Sequence, residues 1–290
     1  MSMNEISILI PTYNDRCDGL VGELHRQAEA LDLRYEIIVA DDGSTDSEVM
    51  ERNRAVGSLS HCRLIERGTN SGRAAVRNFL VRQARYDMLL FIDSDMVVCR
   101  QDFLRRYAEA EAAVVYGGVV IRNVQAGNLR SMYEKASEHE HTVEKRRQSP
   151  YQDFHTANFM IRRDVMLSHP FDMRFRHYGY EDVLLGKSLQ RDGIAILHID
   201  NPLSFEIYES NADFVSKTEE GLRTLYQFRD ELRGYSHLLA WADRLPHFPV
   251  RLWHRLFGPW ERRNLKGSNP SLRLFSLYRL GYYLSLADNR

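Results

Sequence analysis

Two carboxylates one residue apart, Asp93 and Asp95, close the apolar run Tyr86-Asp-Met-Leu-Leu-Phe-Ile-Asp-Ser-Asp-Met96. The run reads as a strand, and side chains i and i+2 of a strand point to the same side. Both carboxylates are therefore expected to face one hard cation at the strand's C-terminal edge. Oxygen donors of this kind suit Mg²⁺ or Mn²⁺, and in an open α/β sheet that edge is where ligands bind. The chemistry implied is the holding of a diphosphate. An Asp-x-Asp alone is weak, since Asp is common wherever strands run into turns. The surrounding elements decide its weight.

Those elements alternate. Ile6–Ile10, Tyr35–Ala40, Arg63–Glu66 and Met88–Ile92 read as short apolar strands. Between them, Asp18–Leu31, residues 46–56 and Gly72–Arg85 carry helical spacing. Strands alternating with helices predict a mainly parallel sheet covered on both faces, an α/β fold. Asp102–Ala112 is predicted helical and Ala113–Ile121 β-rich. Beyond residue 121 the rhythm changes, with one charged helix expected over Leu129–Arg147, a strand at Ala157–Ile161, a helix at Asp182–Arg191, a strand at Ile194–Ile199 and a long helix at Asn211–Leu232. His139 and His141 in Glu138-His-Glu-His141 would lie about 200° apart on a helix, which suits a solvated face rather than a metal tract.

From about Tyr235 the chain becomes basic and aromatic, with Trp241, Phe248, Trp253, Phe257, Trp260, Phe275, Tyr278, Tyr282 and Tyr283. Residues 1–234 are read as a catalytic domain and 235–290 as a helical C-terminal extension. In the extension Pro249 is expected to open a short helix with Val250, Trp253 and Phe257 on one face. Gly258-Pro259 is expected to close it, and Asn269-Pro270 to open the next. The extension suits a helical cap, a homodimer contact or a foot on an anionic membrane surface.

The bulk properties exclude several classes. A formal net charge of -1 over 290 residues argues against a general nucleic-acid binder. Three scattered cysteines point to a reducing compartment without a disulfide framework. The sequence opens into a strand rather than a signal peptide and has no apolar run of spanning length. A cytoplasmic protein is expected, at most peripheral on the inner face of a membrane.

Five segments recur in a set order: Ser7-Ile-Leu-Ile-Pro-Thr-Tyr-Asn14, Glu36-Ile-Ile-Val-Ala-Asp-Asp-Gly-Ser-Thr-Asp46, Asn70-Ser-Gly-Arg-Ala-Ala-Val-Arg-Asn78, Asp93-Ser-Asp95 and Gly179-Tyr-Glu-Asp182. Together they resemble the signature of family-two glycosyltransferases, over roughly residues 5–232. The resemblance implies the GT-A fold, a Rossmann-like sheet, and an inverting sugar transfer. The donor would be a nucleotide sugar, most often a UDP-sugar. The acceptor would be a saccharide or lipid-linked hydroxyl, in surface polysaccharide or glycolipid synthesis.

The resemblance also implies roles. Pro11, Thr12 and Tyr13 would border the nucleotide, with Tyr13 stacking on the base. Asp41 would contact the base, and Asp42 the base or ribose, with Asp42 or Asp46 also serving the turn. Asn70 and Arg73 would approach the nucleotide or its phosphates, whereas Arg77 reads equally well as a surface residue. Asp95 would bind the metal, Mn²⁺ or Mg²⁺, with Asp93 serving metal or ribose. Asp182 would be the catalytic base with Glu181 beside it on the acceptor. Asn158 and Tyr178-Gly179 would shape the donor-sugar pocket.

Two departures stand out. The His that completes the metal site in many relatives is expected near Phe205 and is missing, leaving His198, and more remotely His177, as substitutes. No Gln-x-x-Arg-Trp of processive synthases is present, which favours addition of one sugar or a short run. Two rivals remain. A sugar nucleotidyltransferase would need a Gly-rich basic loop after the first strand, which Pro11-Thr-Tyr-Asn-Asp-Arg16 lacks. A non-catalytic nucleotide-sugar-binding relative is supported only by the missing His.

Overall fold

The computed structural model describes residues 4–176, 178–205 and 207–288. The strands are β1 Glu5–Thr12, β2 Arg34–Asp41, β3 Cys62–Glu66, β4 Met88–Ile92, β5 Met96–Val98, β6 Val114–Tyr116, β7 Asn158–Arg162, β8 Ile196–His198 and β9 Leu203–Phe205. The α-helices are α1 Asp18–Glu29, α2 Ser47–Arg54, α3 Arg73–Gln83, α4 Phe103–Ala108, α5 Leu129–Ser137, α6 Val143–Gln148, α7 Arg163–Ser168, α8 Glu181–Arg191, α9 Asn211–Gln227, α10 Arg229–Leu232, α11 His237–Arg244, α12 His247–Leu265 and α13 Leu272–Ser285.

The chain forms two compact units. The first holds residues 1–120, 140–176 and 185–206, and contains a seven-stranded sheet in the order β3-β2-β1-β4-β7-β6-β8. β1 to β4 are parallel, β7 runs antiparallel to both its neighbours, and β6 and β8 are parallel. Strand alternation explains why both faces are covered. Ile6, Ile8 and Ile10 of β1 enter one core with Leu20, Val21 and Leu24 of α1 and Phe103 and Tyr107 of α4. Leu9 enters the opposite core with Ile38, Leu80 and Val81 of α3, and Leu185 and Leu189 of α8. Each such side chain taken fully from water contributes about 1.5–3 kcal/mol. The parallel register sets Thr12 opposite Asp41, and Asp41 opposite Glu66. The C-terminal ends of β1, β2 and β3 are therefore level, and the loops that follow leave from one edge.

The second unit holds residues 121–139, 177–184 and 207–290. The division does not fall at residue 234. The C-terminal helices share a core with earlier segments: Leu265, Phe275 and Tyr278 are buried with Leu129 and Val215. Glu219 of α9 binds them by accepting from Arg262 Nε at 2.6 Å and from the Tyr278 hydroxyl at 2.6 Å.

Several elements differ from expectation. The charged helix predicted over 129–147 is broken into α5, a short 3₁₀ turn and α6, because Thr142 starts a new helix by capping Lys145 N. α12 runs straight past Gly258-Pro259, because Gly258, Glu261 and Leu265 keep one buried face continuous through them. α13 is capped by Ser271 rather than opened at Asn269-Pro270. The two-stranded ribbon β5-β9 and the short α7 were not anticipated.

Candidate active site

The loops that leave the first unit's parallel edge are tied to one another by short polar side chains. Asn14 follows β1 with φ 55°, a conformation that Asn tolerates better than most residues. Its side-chain oxygen accepts from Thr45 N at 2.8 Å and Asp46 N at 3.1 Å, and its own N–H donates to Ser44 Oγ. The loop after β1 thus grips the loop after β2. Thr12 is buried and donates to Asp15 O at 2.8 Å, while Pro11 is half-buried beside it. Tyr13 remains 43% exposed.

Asp41 ends β2 in a buried position and accepts from Ser44 N at 2.8 Å. Asp42 is also buried and anchors the third loop. It accepts from Ser71 N and Gly72 N, each at 2.9 Å, from Ser71 Oγ at 2.7 Å and from Arg67 Nη1 at 2.6 Å. Its carboxylate is engaged in holding the backbone, and Arg67, which sequence reasoning passed over, is its counter-ion. Gly43 makes this closeness feasible, since a Cβ there would fall 2.7 Å from Thr69 C. Asp46 caps α2 by accepting from Glu48 N and Val49 N. Asn70 and Arg73 are exposed, and Asn70 Oδ1 accepts from Gly72 N at 3.0 Å. Arg73 is the first residue of α3, where backbone N–H groups favour an anion.

Asp93 and Asp95 lie in the turn between β4 and β5 rather than on a strand, so strand alternation does not orient them. A hydrogen bond from Met96 N to Asp93 O closes that turn. Arg77 is a correction: it is 2% exposed, not on the surface. Its Nη2 donates to Asp93 Oδ1 at 2.6 Å, and its guanidinium lies 5.5 Å from the Phe171 ring centre.

Two candidate ligands prove to be engaged within the chain. Asn158, fully buried, accepts from the Tyr107 hydroxyl at 2.7 Å and donates to Gly118 O and Asn201 O. Its amide braces the chain around Gly118 and Asn201, with both N–H groups already donated. His198 is a correction too. Nε2 lies 2.9 Å from Pro150 O and must donate, and Nδ1 faces Arg146 Nη1 at 3.3 Å and must accept, so neither nitrogen offers a lone pair to a metal. His177 lies outside the described residues.

Burial, with Arg146 nearby, pushes the His198 pKa down to about 4. The folded protein keeps the ring neutral while the unfolded chain protonates near its ordinary value, about 6.5. The resulting stability is whole above that value and is lost as pH falls towards 4. We expect stability to drop by about 2–3 kcal/mol across that window. Urea unfolding at pH 7 and pH 4.5 checks this against His198→Gln, which should remove that part of the slope; an identical slope in the variant would dismiss His198 as its source.

In the second unit, Gly179 at φ 98° and Tyr180 at φ 71° lead into α8. A left-handed tyrosine is strained by about 1–3 kcal/mol and persists only where its surroundings enforce it. Burial raises the Tyr180 pKa to about 12. Glu181 is buried, and Asp182, half-buried, accepts from Val183 N at 2.8 Å. Both carboxylates sit in the first turn of α8, where the helix dipole favours their charge.

Among the described residues no group of three His, Cys, Asp or Glu side chains is arranged to hold a metal. The Asp93–Asp95 turn supplies two carboxylates. That set fits a hard divalent cation that completes its shell with substrate phosphate oxygens, as Mg²⁺ commonly does, and does not fit an all-protein cage. No helix among the described residues is long and apolar enough to cross a membrane.

The model of glycosyl transferase family 2 matches residues 7–168, more than half of the chain. The protein belongs to glycosyl transferase family 2. Within 98 residues it is 35% identical to an uncharacterized glycosyltransferase of Haemophilus influenzae, covering 33% of this chain and 38% of that one. Within 110 residues it is 36% identical to a poly(ribitol-phosphate) beta-glucosyltransferase of Bacillus spizizenii, covering 36% of this chain and 17% of that one. The matched part thus spans well under half the length of these relatives. Among solved structures, the mannosyltransferase PcManGT of Pyrobaculum calidifontis, in complex with GDP-Man and Mn²⁺, superposes with a TM-score of 0.60. That match covers 99% of this chain and 86% of the other at 15% identity, and it shows the shared GT-A fold.

Proposed function

We propose that this family-2 glycosyltransferase catalyses an inverting transfer from a nucleoside diphosphate sugar, a UDP-sugar, to a hydroxyl of a saccharide or lipid-linked acceptor in surface polysaccharide or glycolipid synthesis. The observation that carries this reading is the gathering of the motif loops at one sheet edge. Asp41, the Asp42-bound loop and the Asp93–Asp95 turn all follow parallel strands whose C-terminal ends share that edge. The poly(ribitol-phosphate) glucosyltransferase relative supports a polymeric acceptor.

In this reading Tyr13 offers an exposed ring for the base to stack on. Asp41 accepts from the base, while Asn14 and Asp42 hold the loops in place. Arg73, at the start of α3, faces the phosphates. Asp95, with Asp93, would hold Mn²⁺ or Mg²⁺, which when bound supplies Lewis-acid charge neutralisation to the leaving diphosphate. Asp182 takes the proton from the acceptor hydroxyl as its oxygen attacks the anomeric carbon. The new glycosidic bond forms, the bond from the anomeric carbon to the phosphate oxygen breaks with its electron pair, and free UDP leaves.

Calorimetric titration of UDP, with and without Mn²⁺, tests the donor site first. We expect Mn²⁺ to tighten binding by about tenfold or more, which corresponds to at least about 1.4 kcal/mol. Equal binding in both buffers would remove the cation from the reading. Binding of GDP or dTDP but not UDP would keep the reaction and change the donor.

A further inference from the structure

We propose that the outward face of α12 docks on an anionic lipid bilayer. The helix turns two different faces to its surroundings. Gly258, Glu261 and Leu265 are buried on one side. At about 100° per residue, Phe248, Leu252, Trp253, Leu256, Phe257 and Trp260 fall within the opposite half of the wheel. Six large apolar side chains therefore point where a surface helix ordinarily places charge. Phe248 is 76%, Leu256 64% and Trp260 56% exposed. Trp241 of α11 adds a further exposed indole.

The occupant follows from the charge. Between Arg244 and Arg273 the basic residues are Arg244, Arg251, Arg255, Arg262, Arg263, Lys266 and Arg273, and the one acidic residue is Glu261. Glu261 is fully buried and takes a hydrogen bond from Trp253 Nε1 at 2.8 Å. The one acidic side chain of the stretch is thus turned inward. Arg251, Arg255 and Arg262 form one flank of the apolar arc on the same wheel, with Arg262 also paired to Glu219. Near the C-terminal end of α12, Pro259, Arg262, Arg263, Lys266 and Gly267 line an open cleft of about 380 Å³, the right chemistry for a lipid phosphate.

An amphipathic helix with aromatic and aliphatic residues on one face and arginines at its border matches an interfacial helix, whose apolar side enters the acyl boundary while its cations meet anionic head groups. A second copy of the same face would instead bring like charges together. Trp253 and Phe257, expected on one face, pack on each other with ring centres 4.3 Å apart, and both are exposed.

The chain provides its own reporter, because its three tryptophans, Trp241, Trp253 and Trp260, all lie in this region and are all exposed. The full-length protein is mixed with vesicles of phosphatidylcholine alone, or with about 30% phosphatidylglycerol, and read by co-sedimentation and tryptophan emission. A blue shift and sedimentation with the anionic vesicles are expected, with binding about tenfold or more weaker to the neutral ones and falling with salt. The double variant Leu256→Glu with Trp260→Glu should lose this binding while keeping its helical circular dichroism and melting temperature. Arg251→Ser with Arg255→Ser should bind about tenfold more weakly with a shallower salt dependence. Absence of binding to anionic vesicles would overturn the proposal. So would equal binding by wild type and the glutamate variant. A self-association abolished by the glutamates, without vesicle binding, would also overturn it and assign the face to a second copy.

Discussion

Replacing Asp182 by Asn is expected to lower turnover by at least about 10²–10⁴-fold while leaving the affinity for UDP within about twofold. The two effects separate because the substitution keeps the side chain's shape and removes only its ability to take a proton. Asp182 sits in the first turn of α8, where its oxygen accepts from Val183 N, and the amide oxygen of Asn can make the same bond. The local helix start should therefore survive, which a melting curve will show. UDP release in the presence of the acceptor reports the chemical step, and calorimetry reports the donor site. If Asp182→Asn turns over at the wild-type rate, Asp182 is not the base. If it loses UDP affinity as well, the carboxylate belongs to the donor site instead.

The second large effect concerns stability. Asp93→Ala should cost about 3–5 kcal/mol of folding stability, because it leaves the buried Arg77 guanidinium without the carboxylate at 2.6 Å. Arg77→Met should cost a similar amount through the mirror-image loss. The double variant Arg77→Met with Asp93→Ala should recover a good part of it, since both charges of the pair are then removed together. Urea unfolding of the four proteins gives the coupling directly. A single-variant cost below about 1 kcal/mol would show that the pair is screened like a surface bridge. The pair also bears on how cation binding is assayed: an Asp93 variant perturbs the fold as well as the ligand set.

The parallel strands and their helices were legible because their signals are local. The apolar run Ile6–Ile10 and the apolar spacing of Leu20, Leu24 and Ala28 report directly on burial. The motif loops were legible for the same reason, since turn residues follow each strand immediately. What stayed hidden depends on partners distant in sequence. Arg77 looks like a surface residue until Asp93, from the turn after β4, arrives to neutralise it. His198 and Asn158 look like ligands until Pro150, Arg146, Tyr107, Gly118 and Asn201 occupy every polar atom they have. The Asp-Ser-Asp segment looks like a strand end, yet Asp and Ser are strong turn formers, and the turn prevails. In α12, proline and glycine chemistry predicted a stop at Gly258-Pro259, and tertiary burial of Glu261 and Leu265 carried the helix past it.

The way Asp42 holds Ser71 and Gly72 bears on the entropy of ligand capture. Two backbone N–H groups, a hydroxyl and a guanidinium converge on one carboxylate through contacts made within the chain. Ordering a residue from a free loop costs about 1–2 kcal/mol, so three such residues, 70 to 72, would otherwise charge about 3–6 kcal/mol to each association event. Folding has already removed that freedom. Whatever approaches this edge meets a preorganised rim, and its arrival rate is set by encounter and desolvation rather than by waiting for the rim to form.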